Sequence, residues 1–121
     1  MHMKTRIVSE AAEGDLIRIV LDGETPGGEA RDLLLAILQI AQRSGKTKVL
    51  INAIAVSAPP SEMERYLVGE LVAAIFPPKY KIAVVYRKEH INKLMENVAV
   101  NRGAYLTVVG DEESATQWLL S

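Results

Sequence analysis

Two short apolar runs constrain the fold of this chain more than any other feature of its sequence. Residues 48–56 and 80–86 are almost continuously apolar over the length of a strand, which is typical of parallel strands covered on both faces. Helical patterns alternate with such runs, and the connections between them are short. This order predicts repeated strand-helix-strand units in an α/β fold.

Three further strands complete the predicted sheet. Residues 4–10 and 15–21 flank Glu13 and Gly14 closely enough to form a hairpin, so we predict that the first strand is antiparallel to the second. Residues 104–109 form the fifth strand. We predict that residues 1–121 form a single domain, a mostly parallel five-stranded sheet with four helices in the order ββαβαβαβα.

Local signals mark where the helices begin and end. Gly45 follows the first helix and can adopt the left-handed conformation that ends one. Ser61 and Glu64 have the spacing of a capping box at the start of the second helix. The third helix is predicted over residues 88–101, and Asp111 is the predicted cap of the last.

The first two helices carry apolar residues outside their expected core stripes. Leu35 projects into the polar sector of the first helix, either as an ordinary exposed leucine or as a contact with a partner or a second copy. Val72 and Phe76 widen the apolar arc of the second helix, and Tyr66 lies on its opposite face. Its predicted core stripe is Leu67, Val68, Leu71, Ala74 and Ile75. We expect this helix to be covered by something besides its own sheet.

Composition and charge argue against several kinds of site. The 14 basic and 15 acidic residues are evenly distributed, so we expect no nucleic-acid partner. The chain has no cysteine, and its histidines lack the spacing of metal ligands. No Gly-x-Ser-x-Gly elbow or credible acid–base pair is present. We therefore predict a protein that is not an enzyme and binds neither metal nor cofactor.

The chain shows no signal for export or membrane insertion. Residues 1–10 lack an apolar segment of signal-peptide length. No uninterrupted apolar stretch approaches the roughly 18 residues of a spanning helix. We expect a cytoplasmic protein without a membrane span.

One edge of the predicted sheet is the natural place for a ligand. The carboxyl ends of parallel strands meet there, and ligands of such sheets bind beside a reversal of strand order. The edge should include residues 22–28, 57–61, 87–90 and 110–113. Arg87 is a candidate ligand contact there. Ser57 and Ser61 are helix-start hydroxyls or candidate sites of phosphorylation or of polar ligand contact.

Several segments resemble a family of small bacterial domains. The second helix carries Glu64-Arg65-Tyr66 with Gly69-Glu70, and residues 98–103 read Val-Ala-Val-Asn-Arg-Gly. Together with the apolar strand between them and residues 111–119, these segments are similar to SpoIIAA-like proteins, which are related to STAS domains and to CRAL-TRIO lipid carriers. The resemblance covers most of the chain from about residue 48 onward, and it implies the fold predicted above.

The resemblance implies a non-enzymatic interaction or regulatory domain that binds a protein partner or itself. Anti-sigma-factor antagonists of this group carry a phosphorylated serine in an Asp-Ser-x-Gly motif before the second helix. Residues 57–61 read Ser-Ala-Pro-Pro-Ser here, so Ser57 or Ser61 falls near the switch position without that aspartate or glycine. The CRAL-TRIO relatives imply an alternative, a carrier or sensor of a small apolar or lipid-like ligand.

The carrier alternative implies a set of binding residues. Its apolar wall would be Tyr66, Val72 and Phe76. Arg65 or Arg102 would lie near the ligand's head group, and Asn101 also matches a residue typical of the family. The other interpretation of the last segment is structural: Asn101 and Gly103 end the third helix in the left-handed conformation, and Arg102 binds a neighbouring carboxylate.

Overall fold

The computed structural model describes residues 5–24, 29–57 and 59–121. Its strands are β1 Thr5–Glu13, β2 Leu16–Gly23, β3 Lys48–Val56, β4 Lys81–Val85 and β5 Tyr105–Val109. Its α-helices are α1 Ala30–Ser44, α2 Glu62–Ile75, α3 Leu94–Asn101 and α4 Glu112–Leu120. A single 3-10 turn, Lys88–His90, precedes α3.

The strands form one mixed sheet in the order β1-β2-β3-β4-β5. β1 pairs with β2 antiparallel, and every later pair is parallel, which confirms the predicted α/β architecture of five strands and four helices. The order of the described strands follows the chain from one edge to the other. These strands therefore lack the reversal beside which we expected a ligand to bind.

The sequential strand order decides which face each helix covers. Right-handed crossovers between successive parallel strands place their helices on the same side of a sheet. α1, α2 and α3 accordingly cover one face, here called the three-helix face, over the larger apolar core. α4 packs on the other face, where Ala115 and Leu119 contact a smaller core from β2, β3 and β4.

The predicted helix signals are confirmed where they depend on neighbouring residues. Gly45 has a φ of 73° and ends α1. At α2, the Ser61 hydroxyl accepts the Glu64 amide at 3.1 Å, and the Glu64 carboxylate accepts the Ser61 amide at 2.7 Å. Asp111 caps α4 by accepting the Ser114 amide at 2.7 Å. Such hydrogen bonds span only three residues, so the sequence alone can predict them.

The prediction for the third helix was wrong at its start, whereas its predicted end at Asn101 is confirmed. α3 begins at Leu94 rather than at residue 88, because the Asn92 side chain accepts the Leu94 amide at 2.9 Å and turns the chain there. At the other end Gly103 is left-handed, with a φ of 95°. Asn101 is not, since the described residues with positive φ are all glycines.

The predicted core stripe of α2 was wrong in part. Val68, Leu71 and Ile75 pack against the larger core as predicted. Leu67 and Ala74 are exposed, and the fully buried residues are instead Arg65, Gly69 and Val72. A Cβ on Gly69 would lie 2.7 Å from the Met95 carbonyl oxygen, so glycine lets α3 come close and turns the buried side of α2 towards it. α1 and α3 flank α2, and its main backbone contacts are with them rather than with a strand.

Candidate functional site

A small cavity lies between α1, α2 and the three-helix face of the sheet. Its volume is about 50 Å³, and aliphatic side chains form most of its wall. Val72 contributes to that wall from α2, and Leu34 and Ile51 contribute from α1 and β3. Thr5 and Tyr86 bring hydroxyl groups, of which that of Thr5 donates to the Glu24 carbonyl oxygen.

Tyr86 follows β4 at the carboxyl edge of the sheet and is only 9% exposed. Burial strips the phenolate of its hydration and raises the pKa of Tyr86 to about 12. The positive charge of Arg65 opposes this shift of the pKa, and the negative charge of Glu64 adds to it. At neutral pH the hydroxyl is therefore protonated and can donate a hydrogen bond.

Arg65 is a buried cation, 7% exposed, in the first turns of α2. Its Nε donates to the Pro60 carbonyl oxygen at 3.1 Å. Within the described residues Arg65 forms no ion pair, and residues 1–4, 25–28 and 58 contain no aspartate or glutamate. The guanidinium therefore has no carboxylate partner, at a helix end whose dipole is already positive.

Burial of Arg65 and Tyr86 leaves none of their unpaired polar atoms completely enclosed. Every fully buried side-chain nitrogen and oxygen of the described residues has a hydrogen-bond partner. Within that part of the chain, the bond to Pro60 is the one that Arg65 donates from its side chain, and the Tyr86 hydroxyl makes none. The remaining Arg65 nitrogens and the Tyr86 hydroxyl are therefore not completely enclosed.

Two residues predicted to hold a ligand meet on the outer surface instead. Arg102 Nη2 donates to the Tyr66 hydroxyl and to Glu70 Oε2, both at 3.1 Å. The guanidinium also lies 5.5 Å from the centre of the Tyr66 ring. Arg102 thus binds a neighbouring carboxylate, as its structural interpretation predicts, and Asn101 is exposed beside it.

The other predicted site residues lie in separate places. Phe76 is buried in the core, edge-on to Tyr80 with ring centroids 5.9 Å apart, and is not part of the cavity wall. Arg87 is exposed at the carboxyl edge, where its Nε donates to the Ile54 carbonyl oxygen at 3.3 Å. Leu35 is 38% exposed on α1.

The two candidate switch serines differ in their surroundings. The Ser57 amide donates to the Gly23 carbonyl oxygen at 2.7 Å, and the residue is exposed. The Ser61 hydroxyl is the cap of α2, and a phosphate there would replace that cap. Residues 25–28 and 58 of the predicted edge lie outside the described residues.

A polar cluster on the face under α4 was missed in the sequence. Arg18 of β2 donates from Nε and Nη2 to the Glu112 carboxylate at 2.6 to 2.9 Å, and Asn52 of β3 donates to Glu112 Oε2 at 2.5 Å. The hydrogen bonds from Arg18 lower the pKa of Glu112 despite its partial burial. Two features of the sequence could have indicated this cluster. Arg18 and Asn52 are polar residues inside otherwise apolar strands, and the first turn of α4 is acidic. The cluster fixes that helix to the sheet.

Comparison with known proteins assigns no role to the residues of the candidate site. No protein-family model and no curated protein matches the sequence. Within the residues that the structure describes, no cluster of acidic and histidine side chains could hold a metal ion. No helix in that part of the chain has the length and apolarity to cross a membrane.

Proposed function

We propose that this chain is a non-enzymatic, SpoIIAA-like interaction domain that binds a protein partner through the outer face of α2. The main support for this proposal is a group of exposed apolar side chains on that face. Met63, Tyr66 and Leu67 are 75%, 41% and 40% exposed, respectively. They lie within one turn of each other on one side of the helix, and exposed apolar clusters of this kind are typical of contact surfaces.

The charge around this face favours a partner of different chemistry over a second copy. Glu62, Glu64 and Glu70 surround the apolar residues, and Arg102 neutralises Glu70. Two identical faces in a twofold dimer would bring their acidic rims together. A partner with apolar residues inside a basic rim would complement the face. Leu35 on α1 and Val100 on α3 are further exposed apolar residues, 38% and 49% exposed, respectively.

The test is affinity capture from the native host with a matched pair of variants. Leu67→Glu places a charge on the outer face of α2, and Leu120→Glu places one on an exposed leucine of α4. We expect the same partner to be captured by the wild type and Leu120→Glu, and to be lost with Leu67→Glu. Equal capture by all three proteins would contradict the proposal. If light scattering shows that the wild type is a dimer and that Leu67→Glu is a monomer, the outer face of α2 serves self-association instead.

The cavity favours a second candidate function, the carriage of an apolar or lipid-like ligand. The main backbone contacts of α2 are with α1 and α3 rather than with a strand, so it is the element whose outward movement would enlarge the cavity. The observed volume of about 50 Å³ is well below the roughly 300 Å³ of small ligand pockets. A lipid therefore requires that movement.

Native mass spectrometry of freshly purified protein tests this candidate. A bound lipid would add mass, and it would raise the melting temperature because it binds the folded state alone. Val72→Phe, which fills the cavity from α2, should remove both effects. A mass equal to the bare chain, with no melting shift across a lipid panel, would eliminate the carrier function.

A further inference from the structure

A groove follows the outer edge of β5, which is the last strand of the described sheet and pairs there with β4 alone. Its volume is about 420 Å³, and it lies between Glu96 and Val100 of α3 on one side and Trp118 of α4 on the other. We infer that the groove binds an extended peptide segment of a partner protein, which adds a strand to the sheet and places a basic side chain at Glu96. No residue of α2 lines the groove, so the inference is independent of the partner surface proposed above.

Backbone groups of β5 are available at this edge. The Val109 carbonyl oxygen accepts the Tyr86 amide at 3.0 Å, so the odd-numbered residues of β5 turn their backbone groups towards β4. Leu106 and Val108 turn theirs outward, since neighbouring residues of a strand alternate in direction. The Val108 amide accordingly donates to Glu96 Oε1 at 3.0 Å. The Leu106 amide and the carbonyl oxygens of both residues are left for an added strand.

β5 lacks the features that protect the opposite edge of the sheet. β1 carries Arg6, Glu10 and Glu13 and is bulged between Ile7 and Ser9, and such charges and bulges discourage strand addition. β5 reads Tyr-Leu-Thr-Val-Val and contains no charged residue. Of the two edges, β5 is therefore the one that suits an added strand.

The walls of the groove favour a single strand over a second copy of the domain. α3 and α4 cover opposite faces of the sheet, and both contribute side chains to the groove, so both border the edge. A second copy paired through its own β5 would bring its helices against these walls. Twofold symmetry would also bring a second Glu96 carboxylate to the same edge, where like charges repel. A peptide strand carries no helices and fits between the walls.

Glu96 gives the groove its charge, because it is the charged residue among the described residues that line it. Its Oε1 accepts the Thr107 hydroxyl and the Val108 amide, both at 3.0 Å, which holds the carboxylate at the edge. Its Oε2 lies 3.4 Å from Nζ of Lys93, an exposed lysine, and exposed ion pairs are weak. A basic side chain of the peptide can therefore replace Lys93 there.

Apolar side chains determine the neighbouring positions of the peptide. Val100 and Tyr105 line the groove and are 49% and 57% exposed. An added strand would cover both, and its side chains would point alternately to the α3 wall and the α4 wall. Antiparallel pairing is the more stable kind, and Glu96 bonds to the carboxyl-terminal half of β5. The basic residue should therefore precede the apolar ones.

Titration of the isotope-labelled protein by NMR tests the inference, with the peptide acetyl-Arg-Val-Thr-Val-Thr-amide as the probe. We expect its shifts to centre on residues 103–108, and the Leu106 amide to become protected from hydrogen exchange. The same peptide with glutamate for arginine should bind at least about fivefold more weakly. An N-methyl group on its first threonine removes the amide that donates to Leu106 and should weaken binding at least about threefold.

Three variants assign the roles of the side chains. Glu96→Gln keeps an acceptor for the Val108 amide without the charge, so the arginine and glutamate peptides should then bind within about twofold of each other. Val100→Lys places a positive charge in the groove and should weaken the arginine peptide at least about fivefold. Val8→Lys, at an equally exposed valine of β1, should leave binding unchanged. Circular dichroism and the melting temperature establish that each variant is folded.

Several outcomes would overturn the inference. A wild type without shifts at β5, or one that binds the N-methylated peptide as tightly, would eliminate strand addition. Equal binding of the arginine and glutamate peptides by the wild type would eliminate the role of Glu96. A dimer in light scattering whose Leu106 amide is protected without peptide would assign the edge to a second copy instead. If a variant does not fold, the peptide series on the wild type still decides. Leu67→Glu should bind the peptide normally, which separates this groove from the outer face of α2.

Discussion

The Tyr86 hydroxyl lies where its ionised form is strongly disfavoured. An unfolded tyrosine ionises near its ordinary pKa of 10.0, whereas burial raises the pKa of the folded one to about 12. The unfolded state therefore releases this proton first as pH rises. The contribution of Tyr86 to stability is complete below about pH 10 and declines as pH rises towards 12.

Replacement of Tyr86 by phenylalanine should reduce the alkaline loss of stability. Between pH 8 and pH 11 we expect the free energy of unfolding of Tyr86→Phe to fall by about 1 kcal/mol less than that of the wild type. Urea denaturation at the two pH values measures this difference. Tyr105→Phe, at an exposed tyrosine, is the control and should keep the wild-type dependence. If Tyr86→Phe loses as much stability as the wild type between pH 8 and pH 11, the raised pKa of Tyr86 is contradicted.

At the scale of elements, α2 and α3 pack at a glycine. A Cβ on Gly69 would lie 2.7 Å from the Met95 carbonyl oxygen and 2.9 Å from Val98 Cβ, and neither is the end of a flexible side chain. Backbone atoms can yield only if the two helices separate. The close approach also holds Arg65 against the core, on the same side of α2 as Gly69.

Gly69→Ala should destabilise the protein even though alanine is the better helix former. The propensity gain is about 1 kcal/mol, and we expect overpacking to outweigh it, with a net loss of about 1 to 2 kcal/mol. The midpoint of urea unfolding measures this loss. Ala74→Gly on the exposed side of α2 is the control variant. Its loss in the free energy of unfolding should equal the difference in helix propensity between alanine and glycine alone. A Gly69→Ala protein more stable than the wild type would refute this packing.

The docking of α4 depends on a charged contact across the sheet. Arg18 and Asn52 hold the Glu112 carboxylate, and the hydrogen bonds from Arg18 lower the pKa of Glu112 below its ordinary 4.5. A carboxyl group whose pKa is lowered on folding stabilises the protein above its unfolded pKa. That stabilisation is lost as pH falls through the folded pKa.

Glu112→Gln should therefore matter at neutral pH and not in acid. We expect a loss of about 1 kcal/mol in the free energy of unfolding at pH 7, since the contact is partly exposed. The difference from the wild type should shrink as pH falls below 4.5. Glu113→Gln, at an exposed position in the same turn, serves as the control. Urea curves at both pH values give the result, and a difference that persists in acid would argue against the contact.

At the scale of the whole molecule, two cores share one sheet. The larger core lies under α1, α2 and α3, and the smaller one lies under α4. β3 and β4 contribute alternate residues to both, so loss of either core exposes the same strands to water. We expect the domain to unfold as one cooperative unit.

Trp118 is the single tryptophan of the chain and lies on α4, which makes it a probe of the smaller core. At pH 7 its fluorescence and the far-ultraviolet circular dichroism should report one urea midpoint, because α4 cannot leave without opening the shared strands. An earlier midpoint for fluorescence would show that α4 undocks separately. Glu112→Gln would then be expected to widen the gap between the two signals.

The pattern of nearby residues was enough to predict β3, β4 and the caps at Ser61 and Asp111. Those features depend on alternation within one strand or on hydrogen bonds between residues three apart, so no distant part of the chain is needed. The start of α3 was missed even though its cause, the Asn92 side chain, is also local. Asn92 favours a turn, but the helical spacing of the apolar residues that follow it led to the prediction of a longer helix.

Tertiary structure alone decided which residues of α2 are most deeply buried and which residues form the candidate site. The apolar arc of α2 is wide enough to allow several buried sides, and contact with α3 at Gly69 selects the one that buries Arg65. Tyr86 belongs to a different strand-helix unit, and Arg18 and Glu112 are 94 residues apart in the chain. Elements form through short-range hydrogen bonds and periodic burial, so residues next to each other in the chain determine them. Sites form where elements pack, and packing depends on shape and charge contributed by the whole fold.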